Sequence, residues 1–319
     1  MTDVAVLSGG RSPEREVSLR SGHRVGVALR ERGFDAQLLD PSEPRFMETL
    51  AAQGVTTCYI ALHGREGEDG TVQRLLEAIE MPYTGSRPAT CRVAFDKIAL
   101  KETLEDAAIA TPAWASISTT ALRDLGAGPA IRAIAERLGM PLVVKPARGG
   151  SAMGLSFVDD AEGLPQAIRA ALAFSDAAVI ERRIAGVEVA AGLIASTDLP
   201  LPLVEIVPKS GVFDYAARYT PGATEYFAPA RLGADLTAAG DEAARRTFAA
   251  VGVRDVARAD LIVDAAGTAW VIDLNISPGM TDTSLLPMSA AAVGISFDEL
   301  CERVLRAALA RSGADANRG

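Results

Sequence analysis

The sequence predicts an α/β fold that opens with a doubly wound parallel sheet, because two successive units read strand, loop and helix. In the first unit an apolar strand at residues 4–7 leads through Gly9 and Gly10 into a helix, and a second strand follows at residues 35–39. In the second unit an apolar strand at residues 57–62 ends in a polar loop that precedes another helix. Ligands of doubly wound sheets bind beyond the carboxyl ends of strands, so both loops are expected to border a site.

The rest of the chain predicts further sheets of mixed or antiparallel strands. A strand at residues 142–145 leads into a glycine-rich run at residues 147–154, and residues 155–158 can pair back as a hairpin. Strands at residues 257–263 and 268–275 form a second predicted hairpin. The other predicted elements are helices at 71–79, 97–107, 127–138, 241–251 and 297–311, strands at 177–181, 187–194 and 203–207, and a long polar and aromatic loop at 209–226.

Charge and composition exclude several classes of protein. The 319 residues carry 32 Lys and Arg against 41 Asp and Glu, a net charge of −9, which argues against a nucleic-acid footprint of clustered basic residues. The sequence contains no uncharged apolar run of about 18 residues, and its first residues lack the pattern of a secretion signal. Three scattered cysteines fit a reducing compartment, and two histidines are too few for a multi-histidine metal site. We therefore expect a cytoplasmic enzyme that binds neither nucleic acid nor a membrane.

The strongest chemical signal lies on the second predicted hairpin. Arg258 and Asp260 alternate along one strand and Asp273 and Asn275 along the next, so antiparallel pairing would bring the four side chains to one face. Two carboxylates and an amide oxygen are a hard-oxygen donor set, which suits Mg²⁺ held together with substrate phosphates. The alternative is a surface ion pair on a half-exposed hairpin. The run ISPGMTDTS favours the metal site, because its Pro-Gly turn would present backbone N–H groups beside the ion.

A second signal is a cation followed by glycines. Lys145 ends a strand and Gly149, Gly150 and Gly154 follow it, so backbone N–H groups can face a phosphate while Lys145 supplies positive charge. The order differs from that of a P-loop, in which the glycines precede the lysine. On this motif alone, a hairpin turn without a ligand is an equal alternative.

Isolated polar residues are further candidates, and each also has a plain structural explanation. His63 lies in the polar loop HGREGEDG, which has few apolar residues to bury it. Glu14 can receive a substrate ammonium, or it can complement the dipole of the helix that begins nearby. Glu181 and Glu188 could serve adenine and ribose hydroxyls, or they could be exposed charges at strand ends. Lys97 alone would more often be a solvated lysine.

The order of the motifs is more specific than any one of them. The chain contains, in sequence, GGRSPEREVSLRSG, HGREGEDG, Asp96-Lys97, KPARGGSAMG, ERRIAGVEV, the loop at 215–226, ARAD and DLNISPGMTDTS. This set, which extends from Val4 to about Leu309, resembles the D-alanine–D-alanine ligase family of the ATP-grasp superfamily. The resemblance implies a three-domain ATP-grasp fold, in which a doubly wound N-terminal domain precedes two mixed or antiparallel sheet domains that clasp ATP.

The resemblance also implies domain boundaries and residue roles. The N-terminal domain is expected at residues 1–96, the central ATP-grasp domain at 97–181, and the C-terminal ATP-grasp domain, with the metal site and a mobile loop, at 182–319. The residues implied to bind ATP are Lys97, Lys145, Ser151, Glu181, Arg182, Ile184, Glu188 and Arg218. Those implied to bind the amino-acid substrates are Glu14, His63, Gly279, Ser284 and Leu285. Those implied to be catalytic are Glu14, Ser151, Tyr219 and Arg258, and those implied to bind Mg²⁺, as two ions, or Mn²⁺ are Asp260, Asp273 and Asn275.

The implied reaction is ATP-dependent ligation of two D-alanine molecules to D-alanyl-D-alanine, a precursor of cell-wall peptidoglycan. It proceeds through an acyl phosphate and releases ADP and phosphate. Because acyl phosphates hydrolyse, the loop at 215–226 is expected to close over the site and exclude water. The family further implies a homodimer. Two alternatives stay open: a ligase for other amino or hydroxy acids in a specialised pathway, and a nucleotide-binding homologue that has lost catalysis.

Six positions depart from the family pattern. Asp273 stands where glutamate is usual, and its side chain is one methylene shorter. Gly149 and Ala152 replace an acidic or polar residue and a serine in the glycine-rich run, and Arg218 replaces lysine. Ile276 and Ser277 replace a threonine-containing step before the Pro-Gly turn. These departures bear on activity, metal number and substrate more than on the fold.

Overall fold

The described residues form three sheets, and a cavity lies where these sheets meet. The computed structural model describes residues 3–52, 54–194, 201–220 and 222–316, and the side chains of Tyr215, Tyr219 and residues 312–316 lie outside that description. Among the helices it describes, none is both long and apolar enough to cross a membrane.

The N-terminal sheet is parallel, as the sequence predicts, and its strand order is β2–β1–β3. In the central strand, Val6 pairs with Leu38 on one side and with Tyr59 on the other. Helices cover both faces of this sheet, which a parallel sheet requires. The elements are β1 Asp3–Leu7, α1 Arg15–Glu31, β2 Asp35–Leu39, α2 Phe46–Ala52, β3 Thr57–Ile60 and α3 Thr71–Ala78.

Two helices connect the first sheet to the others, α4 Pro88–Phe95 and α5 Lys97–Asp106. The carboxylate of Asp96 caps α5 by accepting a hydrogen bond of 3.0 Å from the N–H of Ile98. Leu100 and Leu104 of α5 are buried in a core that they share with the C-terminal sheet. The boundary expected at residues 96 and 97 stays a prediction, but α5 packs with the third sheet rather than with the second.

The central sheet is antiparallel with strand order β4–β7–β5–β6. The pairing of residues 155–158 back onto the preceding strand is confirmed, since Phe157 of β6 lies opposite Val143 of β5. The elements are β4 Trp114–Ser118, α6 Thr119–Asp124, α7 Gly128–Leu138, β5 Leu142–Pro146, β6 Ser156–Val158, α8 Leu164–Leu172 and β7 Ala177–Arg182.

The C-terminal sheet is also antiparallel, with strand order β10–β9–β8–β11–β12. Its last two strands are the predicted hairpin, so that prediction is confirmed. After this sheet the chain returns to the first one, because α12 packs on α1 through a core that includes Val25, Leu29 and Val304. The elements are β8 Val187–Ile194, β9 Val204–Pro208, α9 Tyr215–Tyr219, β10 Thr224–Phe227, α10 Ala234–Val251, β11 Val256–Val263, β12 Ala269–Asn275, α11 Leu285–Ala292 and α12 Phe297–Ala316.

The segment at 209–226, which the sequence analysis treats as a loop, contains a short helix and a strand. The helix α9 begins after Asp214, whose carboxylate accepts a hydrogen bond of 2.9 Å from the N–H of Ala217. The strand β10 pairs antiparallel with β9 and places Tyr226 opposite Ile206. The prediction of an irregular loop was therefore wrong for eight residues of regular structure, 215–219 and 224–226.

The helix predicted to begin at residue 241 begins at Ala234 instead. Gly240 lies inside this helix, where it packs closely against a neighbouring side chain. A Cβ atom on Gly240 would lie 2.7 Å from Cδ1 of Leu203, so only glycine allows α10 to approach the sheet this closely. The described helices α2, α4, α6, α8 and α11, which have between six and nine residues each, were not predicted.

Candidate active site

The cavity has a volume of about 630 Å³ and lies where the three sheets meet. All site residues named in the sequence analysis line it except Tyr219, whose side chain lies outside the described part of the structure. The walls come from the segment before α1 with Glu14, the loop after β3 with His63, the glycine-rich loop with Ser151, and the β11–β12 hairpin with Asp260. A cavity of this size and polarity is typical of a small-molecule site.

The β11–β12 hairpin brings the four predicted residues into register. Arg258 lies opposite Asn275, and Asp260 lies opposite Asp273. The guanidinium of Arg258 donates two hydrogen bonds to the carboxylate of Asp260, from Nε to Oδ1 at 2.6 Å and from Nη2 to Oδ2 at 2.9 Å. Both side chains are buried, so the surface ion pair that the sequence left as an alternative does not describe this contact. Burial alone would lower the pKa of Arg258, but the adjacent carboxylate of Asp260 raises it.

Asp273 faces two ammonium groups. The Nζ atom of Lys97 lies 3.3 Å from Oδ1 of Asp273 and donates a hydrogen bond of 3.0 Å to the carbonyl of Gly149. Burial would raise the pKa of Asp273, but Lys97 and Lys145 lower it below its usual value. Lys97 is therefore a buried cation at the cavity wall and not the solvated lysine that is its commoner role.

Glu181 lies between two lysines at the end of β7. Its Oε1 is 2.6 Å from Nζ of Lys145, and its Oε2 is 2.7 Å from Nζ of Lys101. Burial would raise the pKa of Glu181, but the two ammonium groups lower it below its usual value. Lys145 also donates a hydrogen bond of 2.8 Å to the carbonyl of Ile272, which ties β5 to β12. The strand-end glutamate is thus the centre of a buried ion cluster.

Glu14 and Ser151 connect the N-terminal domain to the glycine-rich loop. The hydroxyl of Ser151 donates a short hydrogen bond to Oε1 of Glu14. Ser151 and Ala152 both have positive φ angles, 54° and 55°, so the loop turns sharply where it meets Glu14. Burial and the neighbouring Glu68 raise the pKa of Glu14, and Ser151 and His63 oppose that rise. This carboxyl group could receive an ammonium group, whose positive charge would keep it ionised.

His63 is buried and uses both ring nitrogens. Its Nε2 lies 2.9 Å from Oγ of Ser21, and its Nδ1 lies 3.0 Å from the carbonyl oxygen of Ser277. Nδ1 is also 3.8 Å from a carboxylate oxygen of Glu68, which is beyond hydrogen-bond distance. His63 therefore joins the loop after β3 to the segment after β12.

The segment after β12 supplies the remaining substrate-site candidates. Gly279 lies close to Ser284, since a Cβ on Gly279 would be 2.7 Å from Oγ of Ser284. The hydroxyl of Ser284 accepts a hydrogen bond of 2.9 Å from the N–H of Thr281. Ser284 is also the residue before α11, whose first residue is Leu285, so backbone N–H groups at this helix start face the cavity. Such a helix start can bind a carboxylate.

Arg218 and Glu188 lie on the side of the cavity formed by the C-terminal sheet. The guanidinium of Arg218 lies 4.3 Å from the centre of the Phe213 ring. Its Nε is buried and has no hydrogen-bond partner among the described residues. Burial raises the pKa of Glu188 to about 7, although Arg218 opposes the rise. A buried donor without an acceptor indicates a missing partner of opposite charge.

Arg182 is the last residue of β7 and Ile184 follows it, and both line the cavity. The Nε of Arg182 donates a hydrogen bond of 2.9 Å to the carbonyl of Leu138, so this guanidinium is engaged with the end of α7. Ile184 is half-buried and lines the same region as Glu188. A part of this wall is therefore apolar, as a planar base requires.

Comparison with known proteins places this arrangement in a family. The family description "D-ala D-ala ligase C-terminus" matches residues 103–306, and "D-ala D-ala ligase N-terminus" matches residues 36–86. A D-alanine–D-alanine ligase from Syntrophotalea carbinolica is 44% identical over 308 residues, which cover 97% of this chain and 96% of the relative. One from Nitrosomonas europaea is 43% identical and covers 95% of each chain. The chain belongs to the D-alanine–D-alanine ligase family.

Solved structures of D-alanine–D-alanine ligases share the fold over almost the whole chain. The ligase from Bacillus anthracis in complex with ATP is 28% identical, with a TM-score of 0.83 and coverage of 99% of this chain and 100% of that one. A VanG D-Ala:D-Ser ligase from Enterococcus faecalis has a TM-score of 0.80 at 24% identity, with coverage of 96% and 99%, and it shows the fold alone. The predicted family and the predicted ATP-grasp fold are confirmed.

The donor set of this family member fits magnesium in its chemistry. Asp260 and Asp273 are paired across the hairpin, and Asn275 follows on the same strand face. Each carboxylate is paired with a cation of the protein, Asp260 with Arg258 and Asp273 with Lys97. Among the described residues no cluster of three or more His, Cys, Asp or Glu side chains has metal-binding geometry. Two carboxylates and one amide oxygen suit a magnesium ion. Such an ion would share the carboxylates of Asp260 and Asp273 with Arg258 and Lys97.

Sequence reasoning missed Lys101, which contributes to the ion cluster around Glu181. A signal was present, since lysine accounts for only four of the 32 basic residues and Lys101 follows Lys97 by one helical turn. Phe213, which stacks with Arg218, gave no signal within a segment taken as a loop. The apolar lining was also missed; it includes Met153, Leu155, Phe157, Ile272 and Leu274.

Proposed function

We propose that this chain ligates two D-alanine molecules to D-alanyl-D-alanine with consumption of ATP. The observation that carries the proposal is the arrangement of charge along the cavity. Lys97 and Lys145 lie beside the carboxylate of Asp273, and the carboxylate of Glu14 reaches the same cavity from the segment before α1. Cations beside paired carboxylates suit a nucleotide phosphate, and a separate buried carboxylate suits the ammonium group of an amino acid.

The first step forms the acyl phosphate. A carboxylate oxygen of the first D-alanine attacks the γ-phosphorus of ATP, the bond to the bridging oxygen breaks, and ADP leaves with that electron pair. Lys97, Lys145 and Arg218 offset the negative charge on the phosphates. When bound, Mg²⁺ held by Asp260, Asp273 and Asn275 would neutralise further charge on the phosphate oxygens. The buried donor of Arg218 that lacks an acceptor supports its role toward a phosphate.

The second step forms the peptide bond. The ammonium group of the second D-alanine first loses a proton to solvent, and the resulting amine attacks the acyl carbon. The tetrahedral oxyanion collapses, the bond to the phosphate oxygen breaks, and the nitrogen gives its extra proton to the departing phosphate. Arg258 and the N–H of Gly279 line the cavity and can donate hydrogen bonds to this oxyanion. Ser284 and Leu285, at the start of α11, can bind the carboxylate of the second D-alanine.

Phosphate release tests the proposal directly. It is measured with ATP, Mg²⁺ and D-alanine alone, and then with a panel of D- and L-amino acids and hydroxy acids, and the product is identified by mass spectrometry. D-Alanyl-D-alanine formed in a one-to-one ratio with phosphate is expected. Turnover with another pair but not with D-alanine would reject the proposal.

Two observations favour alternative functions enough to include them in that panel. The D-Ala:D-Ser ligase from Enterococcus faecalis has the same fold, so the fold does not fix the second substrate. Asp273, which is shorter than the usual glutamate, and the altered glycine-rich loop favour a homologue without catalysis. Nucleotide binding without ATP consumption for any acceptor would support that second alternative.

The proposal also includes a homodimer in the cytoplasm, as the family resemblance implies. Size-exclusion chromatography with light scattering measures the mass in solution. A mass of one chain at micromolar concentration would reject the homodimer.

A further inference from the structure

We infer that Ser21 is a positioning residue for ligation, and that it acts with His63 to hold the turn that presents the N–H of Gly279 to the cavity. The inference rests on the proposed function, since the role of Gly279 belongs to that proposal. It adds a residue that the motifs did not single out, and it changes the role of His63 from a substrate contact to a support.

The donor and the acceptor of each hydrogen bond around the turn follow from the atoms that take part. A carbonyl oxygen can only accept, so Nδ1 of His63 carries the hydrogen that it shares with the carbonyl of Ser277 at 3.0 Å. In the neutral ring Nε2 then accepts from the hydroxyl of Ser21 at 2.9 Å. The oxygen of Ser21 in turn accepts from the N–H of Met280 at 3.2 Å. One continuous chain of hydrogen bonds therefore runs from Met280 through Ser21 and His63 to Ser277.

This series of hydrogen bonds holds the turn on both sides of Gly279. Ser277 precedes Pro278 and Gly279, and Met280 follows them, so the two ends of the turn are joined through Ser21 and His63. The N–H of Gly279 itself has no acceptor within the described part of the chain. The neighbouring N–H of Met280 is bonded to Ser21, and Gly279, unlike Met280, is one of the residues that line the cavity.

Water cannot easily replace these contacts. The exposed fraction is 0% for Ser21 and 4% for His63, and Met280 is equally buried at 3%. A buried donor or acceptor that loses its partner carries the full cost of desolvation. Both ring nitrogens of His63 are occupied within the protein, which leaves it no hydrogen-bonding atom for a substrate.

The helix α1 places Ser21 at the turn. Gly22 lets α1 approach the end of β1, because a Cβ on Gly22 would lie 2.3 Å from Cβ of Ser8. One turn later Arg24 donates a hydrogen bond of 2.6 Å to the carbonyl of Met280 and pairs with Asp282 at 2.9 Å. The N-terminal domain thus holds the Gly279 turn of the C-terminal domain from one face of α1.

The first test is Ser21→Ala, which removes the hydroxyl and leaves both the N–H of Met280 and Nε2 of His63 without a partner. We expect kcat for D-alanine-dependent phosphate release to fall by about 10-fold or more, because a displaced donor no longer matches the oxyanion. The KM for ATP should stay within about twofold, since neither Ser21 nor Met280 is among the residues that line the cavity. Thr247→Ala is the matched control: it removes a buried hydroxyl that bonds only within α10, and kcat should not change.

The second test separates support from substrate contact. His63→Asn keeps an amide nitrogen near the position of Nδ1 but has no atom near Nε2, so it loses the bond to Ser21. If His63 acts through Ser21, the double variant should be no slower than the slower single variant. If His63 contacts D-alanine, the two effects should multiply and the KM for D-alanine should rise, which would overturn the inference.

A third measurement does not depend on activity. Hydrogen exchange at the amide of Met280 should be about 10-fold faster in Ser21→Ala than in the unmodified chain, because one buried hydrogen bond is lost. The same amide in Thr247→Ala should exchange at the unmodified rate. Unchanged exchange in Ser21→Ala, or an unchanged kcat where the unmodified chain is active, overturns the inference. If the unmodified chain does not use D-alanine, the proposed function is rejected instead. The exchange result still decides whether Ser21 holds the N–H of Met280.

Discussion

The Nζ atom of Lys101 lies 2.7 Å from Oε2 of Glu181, and both side chains are almost fully buried. Lys145 approaches the other carboxylate oxygen, so Glu181 is held by two ammonium groups. Burial lowers the pKa of Lys101, while Glu181 opposes this decrease. Lys101 also donates a hydrogen bond of 2.8 Å to Thr111, whose hydroxyl bonds to β12 at Val271. It therefore fixes Glu181 relative to the C-terminal sheet.

Lys101→Met should weaken nucleotide binding. Without Lys101, Glu181 keeps only Lys145, which is then held more tightly by the carboxylate and is less available to a phosphate. We expect the KM for ATP to rise by about 10-fold, the scale for losing one charge-assisted hydrogen bond. Lys101→Arg retains the charge and should recover part of the loss. An unchanged KM for ATP in a folded Lys101→Met variant, checked by circular dichroism, would contradict this role.

Asp260→Asn should abolish turnover and leave the fold intact. Asn retains one oxygen that can accept from Arg258, so the hairpin can still form, but the negative charge that a metal would share is lost. Steady-state phosphate release and thermal unfolding measure the two effects separately. Near-normal activity in this variant would refute the assignment of Asp260. Asp264→Asn, at the exposed turn of the same hairpin, is the control and should keep its activity.

Arg258→Ala should lower kcat by about 10²-fold or more, as the loss of an oxyanion donor does. The same change leaves Asp260 buried beside no guanidinium, so a lower melting temperature is also expected. Arg258→Lys keeps the charge but cannot donate in two parallel bonds, and its kcat should be intermediate. An effect confined to KM would contradict a role in the transition state.

Glu188 should make the stability of the ligand-free protein depend on pH. Burial raises its pKa to about 7, so the folded state keeps a proton between about pH 4.5 and 7 that the unfolded state has lost. The free energy of unfolding therefore falls as pH rises through this window. Glu188→Gln removes the effect, and its stability relative to the unmodified chain should rise from pH 5 to pH 8. Urea unfolding at several pH values measures the difference, with the exposed Glu162→Gln as a control; a difference independent of pH would contradict the prediction.

Most of the correct predictions from the sequence came from patterns within short stretches of residues. The pairing of Asp260 with Asp273 follows from alternation along two adjacent strands, which a reader can see in a short stretch of sequence. The role of Lys101 depends on Glu181, which lies on β7 of the central sheet, so the spacing of Lys101 from Lys97 marks a shared helix face but not the partner of Lys101. The first seven residues of α10 were not predicted, and the packing of Gly240 against Leu203 is a contact that only the folded chain reveals. Packing between distant segments is what the sequence left undetermined.

The contacts that complete the site join residues far apart along the chain. Glu14 and Ser151 are 137 residues apart, His63 and Ser277 are 214 apart, and Arg24 and Met280 are 256 apart. Contacts of such sequence separation form late in folding, because the intervening chain must be ordered first. During refolding, helical circular dichroism should therefore recover before ligand-binding capacity does. A nascent chain cannot acquire the site until nearly its whole length has been synthesised, since α1 meets its partner only in the last tenth or so of the sequence.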